Sequence, residues 1–290
     1  MVFRGVSLKF STKDEVQYEA IGQFWDYLST LYPRESLRGL GFNWTANQIE
    51  YVIGRRDNAP VKPEEIRKRY PGAVVKEILL PEKGWQVCNG STDRLSELYE
   101  EIYKEGALTY EIETFCEDGS CQVAVCREWP ELEIIRETEL EDIVRLYKGA
   151  LGTPGCVWNE YYPAEDILLE DIRQEELFGI RDEQGRVIAA IAKDRDEEVD
   201  HLPFWNPDLQ PAAELSRLVV SENYRNQGLA RGMIRQTMKI LSDRGFRAVH
   251  YLVATVNEQA LKSYSALDFD LAGETELFGH QYLCYEKGLL

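Results

Sequence analysis

The stretch Glu214-Leu-Ser-Arg-Leu-Val-Val-Ser-Glu-Asn-Tyr-Arg-Asn-Gln-Gly-Leu-Ala-Arg-Gly232 joins two different periodicities. Glu214–Val220 is rich in β-branched and aliphatic residues and reads as a strand. Leu229–Arg244 carries apolar residues at helical spacing and reads as a long helix. Between them, Arg225-Asn226-Gln227-Gly228-Leu229-Ala230 opens that helix. A helix N-terminus offers free N–H groups and the positive end of a dipole, which suits a pyrophosphate. Gly228 removes a side chain where a phosphate must approach backbone, and Ala230 keeps the next approach small. Arg225 and Arg231 supply positive charge nearby.

The surrounding pattern extends from Glu131 to Leu290. Leu132–Ile135 reads as a strand, followed by helices over Glu139–Leu151 and Asp166–Glu175. Leu177–Arg181 and Val187–Ala192 read as a hairpin. After the long helix come a strand, Ala248–Val253, a helix, Asn257–Leu267, and a closing strand, His280–Glu286. This order predicts a mixed sheet with helices on both faces, an α/β or α+β architecture.

A second motif follows the loop: Asn257-Glu-Gln-Ala-Leu-Lys-Ser-Tyr264-Ser-Ala-Leu-Asp268-Phe269. Together the two motifs resemble the GCN5-related N-acetyltransferase (GNAT) superfamily, with its [Q/R]-x-x-G-x-[G/A] loop and N-x-x-A-x-x-x-Y-x-x-x-G-F helix. The resemblance spans about residues 132–287 and implies acetyl-coenzyme A as cofactor. It implies that the strand before the loop splays from its neighbour. Leu218, Val219 and Val220 would then hold the pantetheine arm, and a backbone N–H of Val219 or Val220 would polarise the thioester carbonyl. Arg225, Asn226, Gln227, Gly228, Leu229, Ala230 and Arg231 would form the pyrophosphate site. Asn257 would touch the coenzyme arm, and Tyr264 would act as general acid on the leaving sulfur. Asp268 stands where the family has Gly, and Asp tolerates the left-handed conformation better than most residues.

For the base, Glu214 shares a strand face with Ser216 and can accept the amine proton, or it can be a solvated charge at the strand start. The Trp158–Pro163 segment, with Tyr161 and Tyr162, falls where the family covers the acceptor. Glu160 and Asp166 would then recognise a cation, although Asp166 equally suits helix capping.

Residues 1–128 read as two strand–helix–strand–strand units about 75 residues apart. The first comprises Val6–Phe10, Glu15–Leu31, Leu40–Trp44 and Ile49–Ile53; a polar, Pro-containing stretch, Arg55–Pro63, follows. The second comprises Trp85–Cys88, a helix to Glu105 with Asp93 as its N-cap, Tyr110–Phe115 and Gln122–Cys126. Arg127–Glu131 marks the boundary to the second domain. Glu111 and Glu113 share a strand face with Phe115. With the aromatic rings of Trp25, Trp44 and Trp85 they would suit a flat or cationic ligand, and a normal aromatic core with two surface carboxylates is the other reading. The stretches Ile21–Trp25, Gly39–Asn43, Tyr51–Gly54, Leu80–Trp85 and Tyr110–Phe115 are similar to those of GyrI-like effector-binding domains. That resemblance implies a buried Glu, Glu113 or else Glu111, facing a cationic ligand. No helix-turn-helix pattern accompanies it.

Composition narrows the partners. The formal net charge is −18; residues 1–130 carry 16 Lys/Arg against 21 Asp/Glu, and residues 131–290 carry 17 against 30. Such a chain repels nucleic-acid backbones and attracts cationic small molecules. The six cysteines form no C-x-x-C pair and only three His are present, so no metal site is expected. Scattered thiols point to the cytoplasm, although Cys116 and Cys121 flank a turn and could face each other. The N-terminus lacks the apolar run of a signal, and no stretch reaches the ~18 apolar residues of a membrane span. The expected function is acetyl transfer to a small, cationic amine. The alternatives are a ligand sensor with the transferase half as scaffold, or a protein N-acetyltransferase. The fold suggests a homodimer.

Overall fold

A computed structural model describes residues 1–45 and 47–289. The chain divides into two compact units, Met1–Pro130 and Glu131–Leu290.

The first unit is a seven-stranded antiparallel sheet with helices packed on one face. Its elements are β1 (Val2–Ser11), α1 (Gln17–Ser29), β2 (Leu37–Thr45), β3 (Gln48–Arg55), α2 (Pro63–Arg69), β4 (Val74–Leu79), β5 (Trp85–Ser91), α3 (Leu95–Lys104), β6 (Tyr110–Phe115) and β7 (Ser120–Cys126). The strand order is β4-β1-β3-β2-β6-β7-β5. The helix α1 forms because Phe24, Trp25 and Leu28 fall on one stripe, and all three are buried. Each such side chain contributes about 1.5–3 kcal/mol on leaving water. Two edge elements were illegible from periodicity: α2, and β4, whose Val74 and Val75 are exposed. Asp93 does not cap α3. It lies in a short 3-10 turn, and Arg94 is the residue that precedes the helix, without a side-chain cap. Cys116 and Cys121 are free; the first is exposed and the second buried.

The second unit contains β8 (Glu133–Ile134), α4 (Leu140–Lys148), α5 (Glu165–Arg173), β9 (Leu177–Arg181), β10 (Val187–Asp194), α6 (Glu197–Asp200), β11 (Ala212–Val220), α7 (Leu229–Asp243), β12 (Ala248–Ala254), α8 (Glu258–Tyr264), β13 (Asp270–Leu277) and β14 (His280–Gly288). Its sheet order is β13-β14-β12-β11-β10-β9-β8. Among the described residues only β11 and β12 run parallel, because α7 is the crossover that connects them. Leu229, Met233, Thr237 and Leu241 form a buried stripe of α7 with one residue every four, and Ile234 is buried beside it. The edge strand β13 escaped sequence reading because none of its residues is buried and its exposure pattern alternates only in part. Asp268 is left-handed, at φ 52°, and ends the helical segment as its short polar side chain permits.

Candidate active site

The parallel pair β11 and β12 is in register only over Ala212–Glu214 against Ala248–His250. Beyond Glu214 the strands separate, although β11 continues to Val220 and β12 to Ala254. On its other side β11 stays paired with β10, as Ala190 with Val219 and Ala189 with Val220. The strand edge from Leu215 to Val220 that faces β12 therefore has no strand partner, and it lines a wedge. A bulge sits within this stretch, where the register shifts between Ala190 and Ala192, and Arg217 has φ 46°.

The wedge leads to the N-terminus of α7. Gly228 occupies the left-handed region, at φ 80°, where a side chain would be strained. No side chain caps this helix, and its first turn contains no acidic residue. With glycine as its N-cap, this first turn and the positive end of its dipole suit an anion at the strand end. Gln227 is buried and braces the loop through its amide to the Asn223 carbonyl, 3.4 Å. Asn226 accepts from the Gln259 amide at 3.3 Å, and Arg225 donates to the Val220 carbonyl at 3.0 Å. The Oδ1 of Asn257 accepts from the Ala260 N–H at 3.0 Å, so this oxygen caps α8, and the Nδ2 group is what Asn257 has to offer a ligand.

Glu214 is buried, with 6% of its surface exposed, which removes the solvated-charge reading. Burial, then the neighbouring charge of Asp194, pushes its pKa up to about 8, while Arg217 pulls it down. Its Oε2 is buried without a hydrogen-bond partner among the described residues. Arg217 is buried too and is held by Asp171 through two hydrogen bonds, Nε–Oδ2 3.0 Å and Nη2–Oδ1 2.9 Å. It also binds Asp194, and it donates to the Tyr162 hydroxyl at 3.2 Å. Burial lifts Asp171 to about 6, whereas for Asp194 burial is opposed by the hydrogen bond and charge of Arg217 together with the Arg195 N–H and the Ser216 hydroxyl, which hold it low. This ionic cluster ties α5 and the Tyr162 loop to the bulge. Sequence reading missed it, because its members lie 23 to 55 residues from Arg217 along the chain.

Tyr264 on α8 is half-buried and meets the Tyr251 ring edge-on at 5.4 Å. Burial raises its pKa, so it keeps its proton at neutral pH. His250, the residue before Tyr251, stacks on Trp205 at 4.4 Å. Successive strand residues face opposite ways, so His250 and its register partner Glu214 lie on the sheet face opposite Tyr264. Asp166 is the second residue of α5, after the N-cap Ala164, and accepts from the Ile167 N–H at 2.9 Å. Tyr161 is 77% exposed.

In the first unit, Glu111 and Glu113 are buried. Tyr99 donates to Glu113 at 2.7 Å and Tyr51 donates to its other oxygen. The Trp25 indole donates to the Tyr51 hydroxyl at 2.9 Å, and Tyr103 donates to Glu111 at 3.1 Å. Burial, then the charge of Glu113, lifts Glu111 to about 8. Gly41 stands opposite because a Cβ there would come within 2.6 Å of Glu111 Oε1. The surface-carboxylate reading is thus excluded, and Trp25 joins the pair. Trp85 does not: its ring packs with Tyr110, on the other face of β6, and its indole donates to the Pro81 carbonyl at 2.9 Å. Trp44 packs at the margin of both core clusters. The parity of a strand fixes a face within it, but the register that carries that face to the next strand is not in the local sequence.

Residues 140–269 match the sequence model of the acetyltransferase (GNAT) family. Acetyl-coenzyme A is the cofactor of that family. An uncharacterized N-acetyltransferase of Escherichia coli K12, YhbS, is 30% identical over 118 residues, which are 39% of this chain and 63% of that protein. The chain therefore spans just under two thirds of that relative's length. The solved structures to which the chain is similar include a GNAT-family acetyltransferase of Streptococcus agalactiae, with TM-score 0.47, 17% identity, and 55% and 94% of the two chains covered. Another is the ribosomal-protein-S18-alanine N-acetyltransferase of Escherichia coli, with TM-score 0.42, 16% identity, and 55% and 93% covered. No described helix is long and apolar enough to cross a membrane, and the described residues hold no cluster of three or more metal-ligating side chains.

Proposed function

We propose that the second unit transfers the acetyl group of acetyl-coenzyme A to a small, cationic amine. One observation carries this reading: a splayed parallel strand pair ends at an uncapped helix N-terminus, with a buried, unpartnered carboxyl group at the fork. The residues fit the cofactor. The free edge of Leu218, Val219 and Val220 suits the amides of a pantetheine arm, and the left-handed Gly228 clears the approach of a pyrophosphate. When bound, acetyl-coenzyme A supplies an acyl group on an activated thioester. Glu214 takes the proton that the acceptor ammonium must lose, and a pKa near 8 matches a base working at neutral pH. Tyr264 holds a proton on the opposite sheet face for the departing sulfur. The acidic row around Glu214 favours a cationic acceptor over an anionic one.

We further infer that the first unit is a duplicated, GyrI-like module. Its β1-α1-β2-β3 and β5-α3-β6-β7 segments meet at the β2–β6 pair. The Glu111–Glu113 pair beneath α3 would receive a cationic ligand there. Thiol release from acetyl-coenzyme A, run against a panel of polyamines, amino acids and cationic drugs, tests the transferase. Release that never exceeds the amine-free rate, together with acetylated peptide N-termini, would favour a protein acceptor.

A further inference from the structure

Residues 149–164 connect α4 to α5 as a strap with neither helix nor paired strand, yet the strap is well bonded within itself. The Thr153 hydroxyl donates to the Ala150 carbonyl at 2.7 Å, and the Cys156 N–H donates to the Thr153 carbonyl at 3.0 Å. The backbones of Asn159 and Tyr162 exchange hydrogen bonds of 3.3 and 3.2 Å. Two of its rings anchor it to the bulge of β11. Trp158 meets the Tyr147 ring edge-on at 5.4 Å, and the Tyr147 hydroxyl donates to the Arg217 carbonyl at 2.5 Å. Tyr162 accepts from the Arg217 guanidinium at 3.2 Å. The same strap also reaches the start of α8. Gly155 lies so close to Asn257 that a Cβ on it would stand 2.9 Å from Asn257 Cα and 3.0 Å from its Oδ1. Gly155 is left-handed, at φ 80°, and so is Gly152, at φ 71°, but a Cβ on Gly152 would meet nothing within 4 Å. Both positions favour glycine for their backbone, and only Gly155 needs it for room as well.

We propose that Gly155 is a positioning residue of the coenzyme site: it seats Asn257 against a strap anchored on the Arg217 bulge, and so sets where α8 begins. This rests on the reading of Asn257 as a contact of the coenzyme arm. The helix needs such a seat, because α8 contains no buried residue and has little packing of its own to fix its start. Its first turn is held by the Asn257 N–H on the Ala254 carbonyl, 2.8 Å, and by the Asn257 Oδ1 on the Ala260 N–H, 3.0 Å. A methyl group at residue 155 presses on that same Oδ1. The strap cannot draw back, since Trp158 and Tyr162 hold it to Tyr147 and Arg217. Asn257 therefore gives way, and its carboxamide loses the hydrogen bond that fixes the direction in which Nδ2 donates. The strap thus ties the helix that carries Tyr264 to the strand that carries Glu214.

Gly152→Ala and Gly155→Ala place the same left-handed strain in the same strap, so their difference isolates the contact with Asn257. Exchange of the Ala260 N–H with solvent, followed by NMR without coenzyme, reads the seat itself. It should be about fivefold faster or more in Gly155→Ala, and within about twofold of wild type in Gly152→Ala, as expected when one of the two loosens a helix cap. Titration with acetyl-coenzyme A reads the consequence, with Kd raised about fivefold or more by Gly155→Ala and about twofold at most by Gly152→Ala. In an Asn257→Ala background, Gly155→Ala should cost little further affinity, because the two act through one group. Equal exchange or equal affinity in the two glycine variants, or an undiminished effect of Gly155→Ala in the Asn257→Ala background, overturns the seat. The reading of Asn257 fails separately, if Asn257→Ala alone binds acetyl-coenzyme A as tightly as wild type.

Discussion

Each unit buries a glutamate whose pKa is raised to about 8, yet the two sites are built in opposite ways. Glu111 sits beside Glu113 in a net of tyrosine hydroxyls, with Tyr103 on one carboxyl and Tyr51 and Tyr99 on the other. Glu214 keeps an oxygen without a partner, at the point where two strands part. A raised pKa alone does not distinguish them, since burial is the leading cause in both. Geometry does: donors already spent on a carboxyl hold it in place, while a free oxygen beside a wedge can take up a proton. The first arrangement suits recognition, and the second suits turnover.

The largest effect is expected where the second site is anchored. Arg217→Leu leaves the buried Asp171 and the half-buried Asp194 without their guanidinium partner, and should cost about 3–5 kcal/mol in denaturant melts. A loss below about 1 kcal/mol would show that the cluster is not holding α5 to the bulge. In the first unit the test is stability against pH. The folded pKa of Glu111 lies above its unfolded value, so its carboxyl is neutral in the fold while the unfolded chain ionises. The contribution of Glu111 to stability should therefore be greatest below about pH 4.5, fall as pH rises, and level off above about pH 8. Glu111→Gln should flatten this part of the profile, by a few kcal/mol at pH 8 relative to wild type. An unaltered profile would break the parallel between the two glutamates.

For turnover, Glu214→Gln should lower kcat by about a hundredfold or more, within the usual range for a general base. In wild type kcat/KM should climb to a plateau above pH 8, and the variant should lose that climb. Tyr264→Phe should lower kcat by about tenfold and leave acetyl-coenzyme A affinity within about twofold, the pattern of a group that acts on the leaving sulfur and not on binding. Equal turnover in Tyr264→Phe removes that residue from the acid role.

Much of the second unit was legible because its decisive signal is local. The change from strand to helix at Val220–Leu229 places Gly228, and the following helix places Tyr264, within one stretch of chain. The surroundings of Glu214 were not legible. Asp171, Asp194 and Tyr162 reach Arg217 only through the fold, and nothing in Ala248–Val253 sets a buried His250 apart from its apolar neighbours. In the first unit the pattern located Glu111 and Glu113 and their shared face, but assigned Trp85 to the wrong side of the sheet. The exposed edge strands β4 and β13 lacked alternation strong enough to read.

The central claim is that the wedge and the α7 N-terminus form one coenzyme site. Isothermal titration of the protein with acetyl-coenzyme A, beside Gly228→Val, tests it most directly. Valine at φ 80° is strained and fills the phosphate approach. The account predicts saturable one-to-one binding by wild type and binding weakened at least tenfold in the variant. Absence of binding by wild type, or equal binding by the variant, would contradict it.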